Sequence, residues 1–301
     1  GAHPEFRIEW WYLTANLQEA DGTPYGIQWT LFRTAMAPGE AAGWQNPQIW
    51  LGHAAVTSRD QHLFSERVAR GGIGQAGVRT QPFAAWIDDW QMAATSKGIE
   101  NLSLAAQTSD FSYDLELMAE GPLVLHGDRG YSVKSASGQA SYYYSQPHYR
   151  VSGTLALPGG TVQVTGQGWL DREWSSQPLA EDQRGWDWFS LSFDSGDRLM
   201  GFVLRGDSGD YTSGTWISAN GSATALAPGA FQAVPLASTR VAGRTVPIRW
   251  QLTLEEHELS VEVQALNPHS WMGTSFPYWE GPVSVSGSHS GQGYLEMTGY
   301  E

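Results

Sequence analysis

Gly166-Gln167-Gly168-Trp169-Leu170-Asp171 returns near the C-terminus as Gly291-Gln292-Gly293-Tyr294-Leu295-Glu296. Upstream of each copy stands a second matched string, Val151-Ser152-Gly153-Thr154 and Val285-Ser286-Gly287-Ser288. Before that comes a Pro-aromatic element, Pro147-His148-Tyr149 in one copy and Pro277-Tyr278-Trp279 in the other. The beginnings match more loosely. Trp11-Tyr12-Leu13-Thr14 leads through a Gly turn to a strand ending at Arg33, and Trp188-Phe189-Ser190-Leu191 leads to one ending at Arg205. Self-similarity of this kind marks a repeated structural unit. It predicts two related domains, 1–175 and 176–301, with their joint in the polar stretch 175–185, SSQPLAEDQRG.

The segments around these strings read as strands. Residues 8–17 are aromatic and β-branched, Asp21-Gly22-Thr23-Pro24 makes a turn, and 25–33 alternates, with Ile27, Trp29 and Leu31 on one face and Gln28 and Thr30 on the other. Similar alternation recurs at 111–118, 149–157, 161–168, 189–194, 198–205, 248–254 and 259–265. Turn signals such as Pro158-Gly159-Gly160 and Gly206-Asp207-Ser208-Gly209 stand between them. Helical periodicity is scarce; residues 60–70 carry the best of it and are expected to form one short helix. Many short strands at such spacings predict an all-β fold of antiparallel barrels or sandwiches.

Composition narrows the function. The 301 residues carry 31 acidic and 17 basic side chains, a net charge of −14, which disfavours nucleic acid and anionic membrane surfaces as partners. No apolar run is long enough to span a bilayer as a helix. With no Cys there is no disulfide, thiolate nucleophile or sulfur-ligated metal. The eight His show no metal-ligand spacing, and neither a G-x-S-x-G elbow nor a phosphate-cradling loop is present. The sequence therefore predicts no metal and no cofactor. It opens at Gly1-Ala2-His3-Pro4 without a leader-like segment, so any leader is expected to have been removed or to lie outside this sequence.

Fifteen Trp are more than a core of this size requires, and at least seven of them (Trp10, Trp11, Trp169, Trp174, Trp186, Trp188 and Trp279) lie beside or two residues from a carboxylate. The clusters are Glu9-Trp10-Trp11-Tyr12, Trp169-Leu170-Asp171-Arg172-Glu173-Trp174, Gly185-Trp186-Asp187-Trp188 and Tyr278-Trp279-Glu280. In a strand, Trp169, Asp171 and Glu173 share one face and Leu170, Arg172 and Trp174 the other, while Trp186 and Trp188 lie opposite Asp187. Burial among rings raises a carboxyl pKa and makes a general acid, and indole faces stabilise a developing cation. That combination is what protonation of an isolated alkene requires. The competing reading of each acid is structural, in ion pairs with Arg172, Arg7, Arg33 or Arg205.

These blocks, with Gly52-His53-Ala54, Tyr144-Ser145-Gln146-Pro147 and Gly293-Tyr294-Leu295-Glu296-Met297-Thr298-Gly299-Tyr300, resemble the lipocalin-like hydroxyneurosporene synthase (carotenoid 1,2-hydratase) family. They are most similar to its bacterial branch of secreted hydrolases, one group of which is named for an attachment-locus ABC transporter. The resemblance implies two lipocalin-like β-barrels and a hydrophobic, isoprenoid- or lipid-like ligand. It also implies an envelope or periplasmic location, and water addition to a C=C bond without an added cofactor. The candidate catalytic residues are Asp171, Glu173 and Asp187, the last to orient water. The candidate substrate-binding residues are Trp10, Trp11, His53, Tyr144, His148, Trp169, Trp174, Trp186 and Trp188. Glu9, Arg172 and Glu280 are expected to be structural. A non-enzymatic envelope carrier handing lipid to an ABC transport system is the alternative, and an ester hydrolase the third reading.

Overall fold

A computed structural model describes residues 1–177 and 182–300, so the centre of the expected joint, 178–181, lies outside the described residues. The first half contains β1 (Ile8–Gln18), β2 (Pro24–Ala35), β3 (Gln48–Thr57), β4 (His62–Arg70), β5 (Ala76–Thr80), β6 (Phe83–Ile87), β7 (Trp90–Ala94), β8 (Asn101–Gln107) and β9 (Ser112–Ala119). Two short strands, β10 (Val124–Leu125) and β11 (Tyr131–Val133), precede the long β12 (Ala140–Leu157) and β13 (Gly160–Ser175). The second half contains β14 (Gln183–Phe193), β15 (Arg198–Gly206), β16 (Tyr211–Ile217), β17 (Ala223–Ala225), β18 (Gln232–Val241), β19 (Arg244–Leu254), β20 (Leu259–Ala265), β21 (Trp271–Met272), β22 (Tyr278–Gly287) and β23 (Gly291–Met297). Among the described residues the helical content is two single 3-10 turns, and no helix is long and apolar enough to cross a membrane.

The strand pairings among the described residues are antiparallel, as the sequence reading of antiparallel barrels or sandwiches expects. One sheet runs β4-β3-β2-β1-β13-β12-β9-β8-β7-β6-β5 and curls into a nearly closed barrel. The other runs β17-β16-β15-β14-β23-β22-β20-β19-β18. In each, the first long strand pairs with the last, and the two free edges, β4 and β5 or β17 and β18, are neighbours in sequence. By packing, the first unit comprises Gly1–Val56, Leu63–Pro122 and Tyr144–Ser176. The second comprises Thr57–His62, Leu123–Tyr143 and Gln177–Glu301.

Register makes the repeat concrete. In the first sheet Leu13 faces Leu170, Ala15 faces Gly168 and Leu17 faces Gly166. In the second Phe189 faces Leu295, Leu191 faces Gly293 and Phe193 faces Gly291. The matched glycines therefore occupy equivalent places, and three are required by crowding. A methyl group at Gly166 would run into Asn16 O, one at Gly291 into Ser192 O and one at Gly293 into Ser190 O.

The register also corrects the match between the strand beginnings. Tyr12 faces Asp171 and Trp188 faces Glu296, so Trp188 is the counterpart of Tyr12 and not of Trp11. A slip of one residue moves a side chain to the other face of the sheet, so the correction changes which residues can meet.

The expected helix at 60–70 is β4. Leu63 and Ala69 pack on the first core and the Arg67 guanidinium lies 4.2 Å from the Trp90 ring, which is period two, not 3.6. The strand is an outermost one beside β3, where pairing outweighs a weak local helical preference. Asp88-Asp89 forms the turn between β6 and β7 and is ion-paired with Arg67.

The alternation that marks the strands also locates the two cores. Trp11, Leu13, Ala15 and Leu17 of β1 join Ile27, Trp29 and Leu31 of β2 in the first apolar core. Phe189, Leu191 and Phe193 of β14 join Val203, Leu295 and Met297 in the second. Intervening residues on these strands face outward, and many of them are polar and buried.

Candidate functional site

The outward face of β13 carries Trp169, Asp171 and Glu173. Leu170 packs in the first core, and Arg172 reaches the inward-facing Glu9 and Trp11. Tyr12 and Trp10 of β1 stand directly opposite Asp171 and Glu173, and Thr30 and Phe32 of β2 stand beyond them. Directly opposed side chains have their Cβ atoms about 5 Å apart. The row continues to β3, where the His53 ring meets Phe32 edge-on at 5.0 Å. Five of the residues expected to form the site (Trp10, His53, Trp169, Asp171 and Glu173) thus share one face of one sheet.

That face is buried despite its polarity. Asp171 is 3% exposed and Glu173 9%, and Thr14, Gln28, Thr30 and His53 are as deeply enclosed. Asp171 Oδ1 accepts hydrogen bonds from the Ser145 hydroxyl and from the Trp169 indole N–H, the latter at 2.9 Å. His53 Nε2 lies 3.0 Å from Glu66 Oε2, and burial pulls its pKa down to about 4 against the pull of Glu66, so the ring is neutral near pH 7. Burial likewise brings the His62 pKa to about 4. His148 is buried and packs over Gly121, where a methyl group would come within 2.6 Å of its ring.

The opposite face of β1 and β13 carries an ion-pair network. Glu9 is fully buried; its carboxylate receives Arg33 Nε at 3.1 Å, Arg172 Nη2 at 2.7 Å, and the His3 backbone N–H and ring Nδ1, each at 2.7 Å. Burial alone would raise its pKa, but the His3 hydrogen bond and the Arg172 charge prevail and hold it at about 2. The Arg172 guanidinium stacks on Trp11 at 3.9 Å, His3 stacks on Trp174 at 4.0 Å, and Tyr144 meets Trp174 edge-on. Trp11 and Trp174 therefore sit with this network, on the other face of their strands from Asp171 and Glu173.

The remaining candidates belong to the second unit. Asp187 faces inward with Phe189 and is 1% exposed. Tyr300 donates to its Oδ1 at 2.9 Å, and Arg205 Nε lies 3.2 Å from Oδ2 at an angle that makes no hydrogen bond. Burial raises its pKa to about 6, with the Asp210 charge adding and Arg205 and Tyr300 opposing. Trp186 and Trp188 face outward: Trp186 Nε1 donates to Glu296 at 2.6 Å and Trp188 Nε1 to the Tyr143 hydroxyl at 3.1 Å. Glu280 is buried opposite Glu296. Among the described residues no three His, Asp or Glu side chains converge as metal ligands.

Sequence reasoning missed Ser145, Tyr300, Glu66 and His3. Ser145 lies in a quoted block but carries no chemical signature of its own. Tyr300 and His3 act from segments outside the strands, where periodicity is silent.

Residues 1–300 match the model of the AttH-like family. The fold is similar to the crystal structure of an AttH from Nitrosomonas europaea, at 33% identity and a TM-score of 0.87, covering 100% of this chain and 95% of that one. It is also similar to kievitone hydratase from Nectria haematococca, at 15% identity and a TM-score of 0.74, covering 96% and 88%. No curated protein matches the sequence. The match over the whole described chain, with two antiparallel sheets and the W-x-D-R-E-W block placed on one strand, shows that this protein belongs to the AttH-like family.

Proposed function

We propose that the protein binds an apolar, isoprenoid- or lipid-like molecule against the outward face of β1, β2, β3 and β13 and adds water across its C=C bond. The observation that carries this reading is the buried Asp171–Glu173 pair on that face, set opposite Tyr12 and Trp10. A barrel wall has no packing need for two enclosed carboxyls on its outer side, and burying them is costly. Residues two apart on a strand lie about 7 Å from each other, which leaves room for a water molecule between the two carboxyl groups.

In the proposed reaction Asp171 gives its proton to one alkene carbon. The cation formed at the other carbon lies against the Trp10 and Trp169 rings, and a water molecule adds there. Glu173 takes the proton released from that water, and its return to Asp171 through solvent closes the cycle. The balance needs water alone. The kievitone hydratase named above is a hydratase of similar fold, which agrees with this chemistry without establishing it. Asp187, engaged by Arg205 and Tyr300 inside the second unit, is read as structural.

The test is incubation with geraniol, farnesol and squalene in oxygen-18 water, followed by mass spectrometry. Labelled alcohol heavier by one water is expected from the native protein and none from Asp171→Asn or Glu173→Gln. Product formation unchanged in both variants would overturn the assignment. Tight binding of these molecules with no product from the native protein would favour the carrier reading.

A further inference from the structure

Tyr144-Ser145-Gln146-Pro147 has no role in the chemistry just described, yet one of its side chains, Ser145, reaches Asp171. The Ser145 side chain is fully buried and its hydroxyl donates to Asp171 Oδ1, the same oxygen that accepts the Trp169 indole N–H. The neighbouring residue fixes the main chain at this point. Gln146 Nε2 donates to Gly121 O at 2.9 Å, and its Oε1 accepts the His148 backbone N–H at 3.1 Å. Pro147 has no N–H to offer a ladder. On the other side of Ser145, the Tyr144 ring meets Trp174 edge-on at 6.2 Å. Ser145 is thus held between two anchored neighbours and aimed at one carboxyl oxygen.

We propose that Ser145 is a positioning residue for Asp171. With the Trp169 indole it makes Oδ1 an accepting oxygen and fixes the orientation of the carboxyl group. The hydroxyl has a second effect. A donor to a carboxyl oxygen stabilises the ionised form more than the neutral one, so Ser145 tunes how readily Asp171 gives up its proton. Gln146 acts one step further out, by fixing the main chain that carries Ser145. This role rests on Asp171 being the proton donor of the proposed hydration.

The test uses the full chain with Ser145→Ala and Ser145→Thr. Carbon-13 NMR of the Asp carboxyl groups follows the titration of Asp171, whose signal is identified by its loss in Asp171→Asn. Loss of the Ser145 donor is expected to move the Asp171 midpoint up by about one pH unit. The threonine hydroxyl is expected to restore it. On any of the three alkenes that is hydrated, the alkaline limb of the rate profile moves up by the same amount in Ser145→Ala, with KM within about twofold of native.

A lower melting temperature in Ser145→Ala with an unmoved Asp171 titration would overturn the proposal and leave Ser145 a packing residue. A failure of the threonine to restore the midpoint would overturn it as well. Full turnover in Asp171→Asn would instead remove the proton-donor reading, and the NMR titration would still decide whether Ser145 tunes Asp171.

Discussion

Replacing Asp187 with asparagine isolates the cost of one buried charge. The asparagine keeps an oxygen to accept the Tyr300 hydroxyl and fills nearly the same volume, so what is lost is the ionisation. In the native protein burial lifts the Asp187 pKa from 3.8 to about 6, which means that the folded state holds this proton more tightly than the unfolded chain does. A group raised in this way contributes stability that is fully present below about 3.8. That contribution is lost as pH rises through about 6. The interval corresponds to about 3 kcal/mol at about 1.4 kcal/mol per pH unit, an upper figure for a site this enclosed.

Arg205 stays charged throughout, so whatever its loss of a partner costs in the variant is a constant offset. The slope carries the information. Urea unfolding of both proteins between about pH 4 and pH 8 is the assay. The native curve is expected to fall relative to the Asp187→Asn curve by up to about 3 kcal/mol across that range and to run parallel above it. Parallel curves throughout, or a native protein that gains on the variant as pH rises, would refute the reasoning that burial outweighs Arg205.

Glu9 has the opposite sign. Its pKa is depressed from 4.5 to about 2, so its contribution is present above about 4.5 and lost as pH falls through 2. Glu9→Gln should cost about 3 kcal/mol or more at pH 7, where it leaves Arg33 and Arg172 buried with one fewer anion, and the deficit should shrink in acid unfolding titrations. The repeat glycines give a paired test: Gly293→Ala drives a methyl group into Ser190 O and should lower stability by about 1–3 kcal/mol or more by thermal unfolding. Gly159→Ala meets nothing within 4 Å and should stay within about 0.5 kcal/mol of native.

Residues that act along a strand were legible in the sequence, and residues that act across strands were not. Period-two patterning and the paired G-x-G strings exposed the all-β class and the repeat, because both express the same constraint: an apolar side chain every second residue and no side chain where a neighbouring carbonyl comes close. The sharing of a face by Trp169, Asp171 and Glu173 followed from that rule alone. Periodicity failed at β4, an outermost strand that leaves Phe64 and Val68 exposed, so that its apolar residues no longer alternate cleanly. It also failed in the one-residue offset between the Trp11 and Trp188 strings, since only the facing strand fixes register.

That offset decides how the carboxylates are understood. Glu9 and Asp171 both lie within two residues of a tryptophan in sequence, and that proximity by itself does not separate them. Glu9 shares the inward face with Arg33 and Arg172, two guanidinium groups that hold it as an anion. Asp171 shares the outward face with Ser145 and Trp169, two neutral donors that orient a carboxyl group without adding a compensating charge. A carboxylate locked between cations at a pKa of about 2 cannot serve as an acid near neutral pH, however many rings surround it. Proximity to tryptophan is thus a poor guide to a catalytic acid in this fold. The face of the strand separates the two classes, and the proposed proton chemistry lies on the outer wall of the first sheet, on the opposite face of β1 and β13 from the Glu9 ion pairs.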